Sequence, residues 1–180
     1  MKRFILLAFF AASTLALSLN GYSQSPEYTR SRIERLVQKE ILSLPYYGVF
    51  DAIGYSVNNG TVTLTGYVVR PLTKRDAETA LRDIPGITNV VNNIEVLPVS
   101  PNDDRIRERT LRTLASQGGS LYRYFLGANP SIRIIVNRGR VSLEGYADSR
   151  GDANRAYILA RGVPGTFGVT NNLKVLETTR

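Results

Sequence analysis

Ile53, Tyr55 and Val57 alternate with small or polar residues. After Asn58-Asn59-Gly60, Val62 and Leu64 alternate in the same way with Thr61, Thr63 and Thr65. Two runs of period two, separated by residues that accept positive φ, predict a β-hairpin. The period then changes. Ala77, Ala80, Leu81 and Ile84 recur at i, i+3, i+4 and i+7, which predicts a helix stopped by Pro85-Gly86. Val90, Ile94 and Val96 return to one face of a strand. Ahead of the hairpin, Ile33, Leu36, Val37, Ile41 and Leu44 keep a helical period up to Pro45.

The whole order occurs twice. Shifted by 79 residues, Gly60–Leu97 aligns without a gap on Gly139–Leu176, and 14 of the 38 positions are identical. Chance would give about two or three at average residue frequencies. The second hairpin is Ile132, Ile134 and Val136, then Arg138-Gly139, then Val141 and Leu143. Its following helix carries Ala156, Leu159, Ala160 and Val163, with Ser149 and Asp152 as a capping box and Pro164-Gly165 as the stop. Val169, Leu173 and Val175 form its last strand. Its leading helix is marked more weakly, by Ile106, Thr110 and Leu114 before Gly118-Gly119. The predicted fold class is α+β: two copies of an α-β-β-α-β unit, each a three-stranded sheet with two helices on one face. "LPVSPND" at 97–103 has the composition of a linker.

These phrases carry a resemblance. "VNNGTVTLTGYV", the "A..AL..IPGI" helix and "VVNNIEV", with their second-copy equivalents, resemble tandem BON-domain proteins of the bacterial periplasm, of the osmotically inducible OsmY type. The resemblance covers residues 30–97 and 103–177. It implies a non-catalytic module that binds phospholipid or supports the envelope under osmotic stress, and it carries over no catalytic motif. Gly60, Gly66, Gly86, Gly139, Gly145 and Gly165 match its pattern. Their expected role is a turn or close packing. Asn92 and Asn171 lie on the inward phase of their strands, where each is expected to tie its amide to nearby backbone.

Composition narrows the chemistry. The chain has 180 residues with neither cysteine nor histidine. That excludes disulfides, thiolate nucleophiles, lipidated cysteine, and the commonest general base and zinc ligand. No phosphate-binding glycine loop, metal cluster or activated serine pattern is present in the sequence, so no enzyme, cofactor or metal is expected. Lys2 and Arg3 precede an uncharged run, Phe4–Leu19, and then the small, polar "NGYSQS". This predicts a signal peptide over residues 1–23, cleaved after Ser23 or Ser18, and a periplasmic chain divided at 24–98 and 99–180. An uncleaved anchor is the alternative, though a span wants about 20 apolar residues.

Charge separates the two copies. Residues 24–99 hold eight basic and eight acidic side chains; residues 100–180 hold thirteen and seven, for a net +6. Twelve of those thirteen are arginine, whose planar fork suits phosphate. Arg105, Arg109 and Arg112 form one helical stripe, and Tyr122, Arg123, Tyr124 and Phe125 follow close in sequence. A basic helix edge with amphipathic aromatics suits an anionic phospholipid surface, and these seven are the candidate lipid-binding residues. The competing reading makes the arginines a solvated face and the aromatics a cap on the core. An envelope protein is the alternative partner, with the open sheet faces (Ala52, Gly54, Ser56, Thr61, Thr63, Thr65) as an adaptor surface. Nucleic acid fits the sequence pI of about 10.0, but export argues against it.

Overall fold

The computed structural model describes residues 26–117 and 119–176. The expected signal peptide at 1–23 lies outside them. The first copy comprises α1 (Pro26–Leu42), β1 (Ala52–Asn58), β2 (Thr61–Val68), α2 (Pro71–Arg82) and β3 (Asn89–Val96). The second comprises α3 (Pro101–Gln117), a 3-10 turn (Gly119–Phe125), β4 (Ile132–Asn137), β5 (Arg140–Ala147), α4 (Arg150–Arg161), β6 (Gly168–Asn171) and β7 (Lys174–Val175). The α+β class and the duplicated unit are as the sequence predicts. In each copy the hairpin is antiparallel, and the last strand returns parallel to the second, as a connection through a helix requires.

Both helices of a copy pack on one sheet face. Val37, Ile41, Val57, Val62, Leu64, Ala77, Leu81 and Ile94 fill the first core. Ile106, Leu114, Ile132, Ile134, Val136, Leu143, Ala156 and Ala160 fill the second. Gly66 and Gly145 hold matching places in the hairpins, with φ of 113° and 102°. A Cβ on either would stand 2.1 Å from the carbonyl oxygen of Ala52 or Ser131. Backbone approach to the partner strand therefore demands glycine at both.

Asn92 and Asn171 do as expected. Each amide donates to a helix carbonyl, of Lys74 (2.9 Å) or Ala153 (3.1 Å). Each carbonyl accepts the backbone N–H two residues on, at Ile94 or Leu173. One side chain thus ties the last strand to the second helix in both copies.

The structure departs from the sequence reading at several points. The linker is shorter than its composition suggests, because α3 starts at Pro101. Ser100 caps it, accepting the N–H of Asp103 on its side chain and that of Asp104 on its carbonyl. Val96 is exposed and Leu97 buried instead, since alternation ends with β3. The last strand of copy two breaks at Asn172-Leu173 into β6 and β7. Asp103, Arg107 and Thr110 share the buried face of α3, so its apolar period was weak. Ser149 does cap α4, accepting from Asp152 N–H (3.0 Å), but the Asp152 carboxylate serves other partners.

The two copies touch through the segment ahead of β1. Val49 O accepts the N–H of Ile134 (2.8 Å) on the edge of β4 that no strand covers. Val49 and Phe50 pack against the second core. A segment of one copy thereby shields a sheet edge of the other.

Candidate functional site

Copy two has two distinct ends, and the candidate residues divide between them. At one end the Asn137–Arg140 hairpin turn meets the start of α3. Asp103 is 2% exposed there, and its carboxylate accepts the backbone N–H groups of Arg138 (2.9 Å) and Gly139 (2.8 Å). Arg107 is equally buried; it pairs with Asp104 and donates to Val136 O (2.7 Å). The arginine stripe starts here. Arg105, Arg109 and Arg112 are all exposed. Arg105 Nε donates to Pro101 O (3.1 Å), and Arg109 Nη1 reaches Pro164 O (3.4 Å).

The aromatic cluster lies at the other end, past Ala147. Residues 140 and 147 terminate the same strand, a separation of about 23 Å at strand rise. Tyr124 is buried: its hydroxyl donates to Asp152 Oδ2 (2.8 Å) and accepts the N–H of Asp148 (3.0 Å). Phe125 is half-buried against the core. Arg123 stacks over the Tyr124 ring at 4.8 Å and pairs with Asp148 (3.1 Å) and Asp152 (2.8 Å). Tyr122 is exposed. The structure therefore brings Arg123, Tyr124 and Phe125 together as a joint between the 3-10 turn and α4. It does not bring them to the stripe.

Electrostatics at this joint are specific. Partial burial pushes the Asp152 carboxyl up, but hydrogen bonds from Tyr124, Ser120 and Ser149, with the charge of Arg123, outweigh it. Asp152 is held below the usual carboxylate value. The Tyr124 hydroxyl is raised, first by burial. In copy one the matching strand end is capped differently. Asp51 takes the N–H of Val69 (2.7 Å) and of Gly48 (3.0 Å). Burial raises its pKa against those bonds and against the charges of Arg133 and Arg70.

Between the copies lies a cleft of about 810 Å³ whose lining includes Tyr47, Tyr55, Tyr67, Tyr146, Arg133 and Lys174. Arg133 is 6% exposed, although it alternates along β4 with the inward Ile132 and Ile134. Its Nη1 donates to Gly48 O (2.6 Å). Among the described residues, no three acidic side chains gather to hold a metal ion, and no helix is long and apolar enough to cross a membrane.

Sequence reasoning missed Phe167. It stands 77% exposed in the turn after α4, with its N–H bonded to Gly139 O (2.8 Å). The signal open to sequence reasoning was the copy-to-copy alignment, in which Phe167 stands against Thr88; its exposure and its place on the 138–140 turn come from the fold.

A family model described as the BON domain matches residues 29–98 and again 102–177. No curated protein matches the chain. Two solved structures are similar in part. The C-terminal domain of CdsD, the structural protein of the type III secretion system of Chlamydia trachomatis, is 12% identical, with 85% of this chain and 98% of that one covered and a TM-score of 0.32. A second structure of CdsD is 12% identical, covers 80% and 90%, and has a TM-score of 0.30. Likenesses of that size carry no argument about function.

Proposed function

The chain belongs to the BON-domain family, and we propose from that premise that it is a non-catalytic envelope module whose second copy binds anionic phospholipid peripherally. BON domains are in general associated with envelope proteins and with phospholipid. The observation that carries the reading is the charge asymmetry between two copies of one fold: zero for residues 24–99 and +6 for residues 100–180. Of the twelve arginines behind that excess, Arg105, Arg109 and Arg112 are exposed on a single helix. Each basic side chain near an anionic bilayer contributes about 1 kcal/mol, screened by salt. The reading includes export, with residues 1–23 removed as a signal peptide and a role under osmotic or envelope stress. N-terminal sequencing of the exported protein tests the first part; an intact Met1 on a membrane-bound form overturns it.

The binding test is co-sedimentation of the exported chain with phosphatidylglycerol/phosphatidylcholine vesicles and with phosphatidylcholine alone. Arg105→Gln, Arg109→Gln and Arg112→Gln combined should weaken the first and leave the second negligible. A protein–protein adaptor is the second reading. It is favoured by the uncovered sheet face of copy one, where Gly54, Ser56, Thr65, Val91 and Asn93 are all exposed. Crosslinked partners that persist when anionic vesicles fail to bind would select it.

A further inference from the structure

We infer that the tip of copy two built from the 137–140 and 164–168 turns is a membrane-insertion element: Phe167 enters the apolar boundary of an anionic bilayer while Arg138, Arg140 and Arg109 hold lipid phosphates. The inference rests on the phospholipid reading and names the residues that make contact. They differ from the aromatics singled out in the sequence, which lie at the opposite end.

The geometry converges from three segments. Asp103 grips the hairpin turn through Arg138 N–H and Gly139 N–H. Gly139 O accepts Phe167 N–H, which docks the second turn on the first. Arg109 fastens that second turn from α3 through Pro164 O. Gly139 also makes room for the ring: a Cβ there would stand 2.4 Å from Phe167 Cδ2. The ring is thus seated against a rigid turn, yet remains 77% exposed. The Arg140 guanidinium lies beside Gly168, and Arg138 and Arg140 are both exposed. An aromatic ring held at a tip and flanked by cations matches the interfacial zone, where rings sit at headgroup depth and arginine bonds phosphate.

Copy one is an internal control. Its corresponding tip carries Asn59-Gly60-Thr61 and Thr88 where copy two has Arg138-Gly139-Arg140 and Phe167. The backbone is the same, with Gly60 O accepting Thr88 N–H at 2.8 Å against 2.8 Å for the Phe167 bond. The fold requires neither the ring nor the arginines, since copy one forms the same turn pair without them.

The chain has no tryptophan, so Phe167→Trp supplies a single tryptophan whose emission can be excited apart from that of the ten tyrosines. Adding phosphatidylglycerol/phosphatidylcholine vesicles to the full exported chain should shift its emission to the blue. Phosphatidylcholine vesicles and inorganic phosphate should leave it unmoved, and Thr88→Trp should not respond. Phe167→Thr should weaken co-sedimentation about tenfold, as expected for loss of a buried ring. Arg138→Gln and Arg140→Gln should each weaken it about fivefold. If the chain sediments with anionic vesicles but Phe167→Trp stays unshifted and Phe167→Thr binds undiminished, the tip is wrong and the phospholipid reading stands. An equal shift for Thr88→Trp also overturns the tip. If the wild-type chain does not sediment at all, both fall.

Discussion

The guanidinium of Arg133 lies 4.3 Å from the ring centre of Tyr47, joining the second copy to the first. The same side chain donates to Gly48 O, and its charge faces the buried Asp51 carboxylate. The β4 side of a sheet face that would be open in an isolated copy is covered here by its neighbour, while Tyr146 on β5 stays exposed.

Removing that side chain should loosen the pair. Arg133→Ala removes the charged donor to Gly48 O, leaving it only the N–H of Asp51 (3.1 Å), and uncovers Tyr47, a loss of about 2 kcal/mol. The expected outcome in calorimetry is a melting point lower by about 4–8 °C, with one transition separating into two. Small-angle scattering should show a larger radius of gyration. A variant that melts as the wild type would leave the interface to Val49 and Phe50.

Asp103→Ala removes the acceptor of two backbone N–H groups in a buried turn. Destabilisation of about 2–4 kcal/mol is expected, read from the midpoint of urea unfolding. Asp103→Asn should recover part of it, because its amide retains one acceptor oxygen. The loss should fall on copy two.

Gly66→Ala and Gly145→Ala force a Cβ onto a carbonyl at a positive φ. Each should cost more than about 3 kcal/mol and sharply reduce the yield of folded protein. Circular dichroism of the two variants checks this. Gly127→Ala, with open space around it, should cost about 1 kcal/mol from its φ of 79° alone.

Asp152 makes stability depend on acid. Its carboxyl is lowered in the folded chain from 3.8, so the folded state favours the ionised form. That contribution is present above pH 3.8 and is lost as pH falls through the lower folded value. The stability difference between wild type and Asp152→Asn should therefore shrink below pH 3.8. Thermal melts across that range test the sign; a gap that widens in acid contradicts it.

Much of this molecule is set by local pattern. Alternation at Ile53–Val57 and Ile132–Val136, helical spacing at Ala77–Leu81 and Ala156–Ala160, and the Pro-Gly stops are properties of short segments. They state secondary structure, and their recurrence at a spacing of 79 states the duplication and the BON architecture. The inward phase of Asn92 and Asn171 likewise leads directly to their backbone bonds. Tertiary contact decided the rest. Arg105 and Arg107 are two residues apart, yet one is exposed and the other is buried on Val136 O. Arg133 reads as an outward residue of a strand and is covered by Tyr47 and Gly48, which lie 85 residues away along the chain from Arg133 in the case of Gly48. Tyr122–Phe125 follow the arginine stripe closely in sequence but sit at the far end of β5, while Phe167 comes to the tip from 28 residues beyond Gly139. Burial and juxtaposition depend on which distant segments meet, and period within a segment carries no information about that.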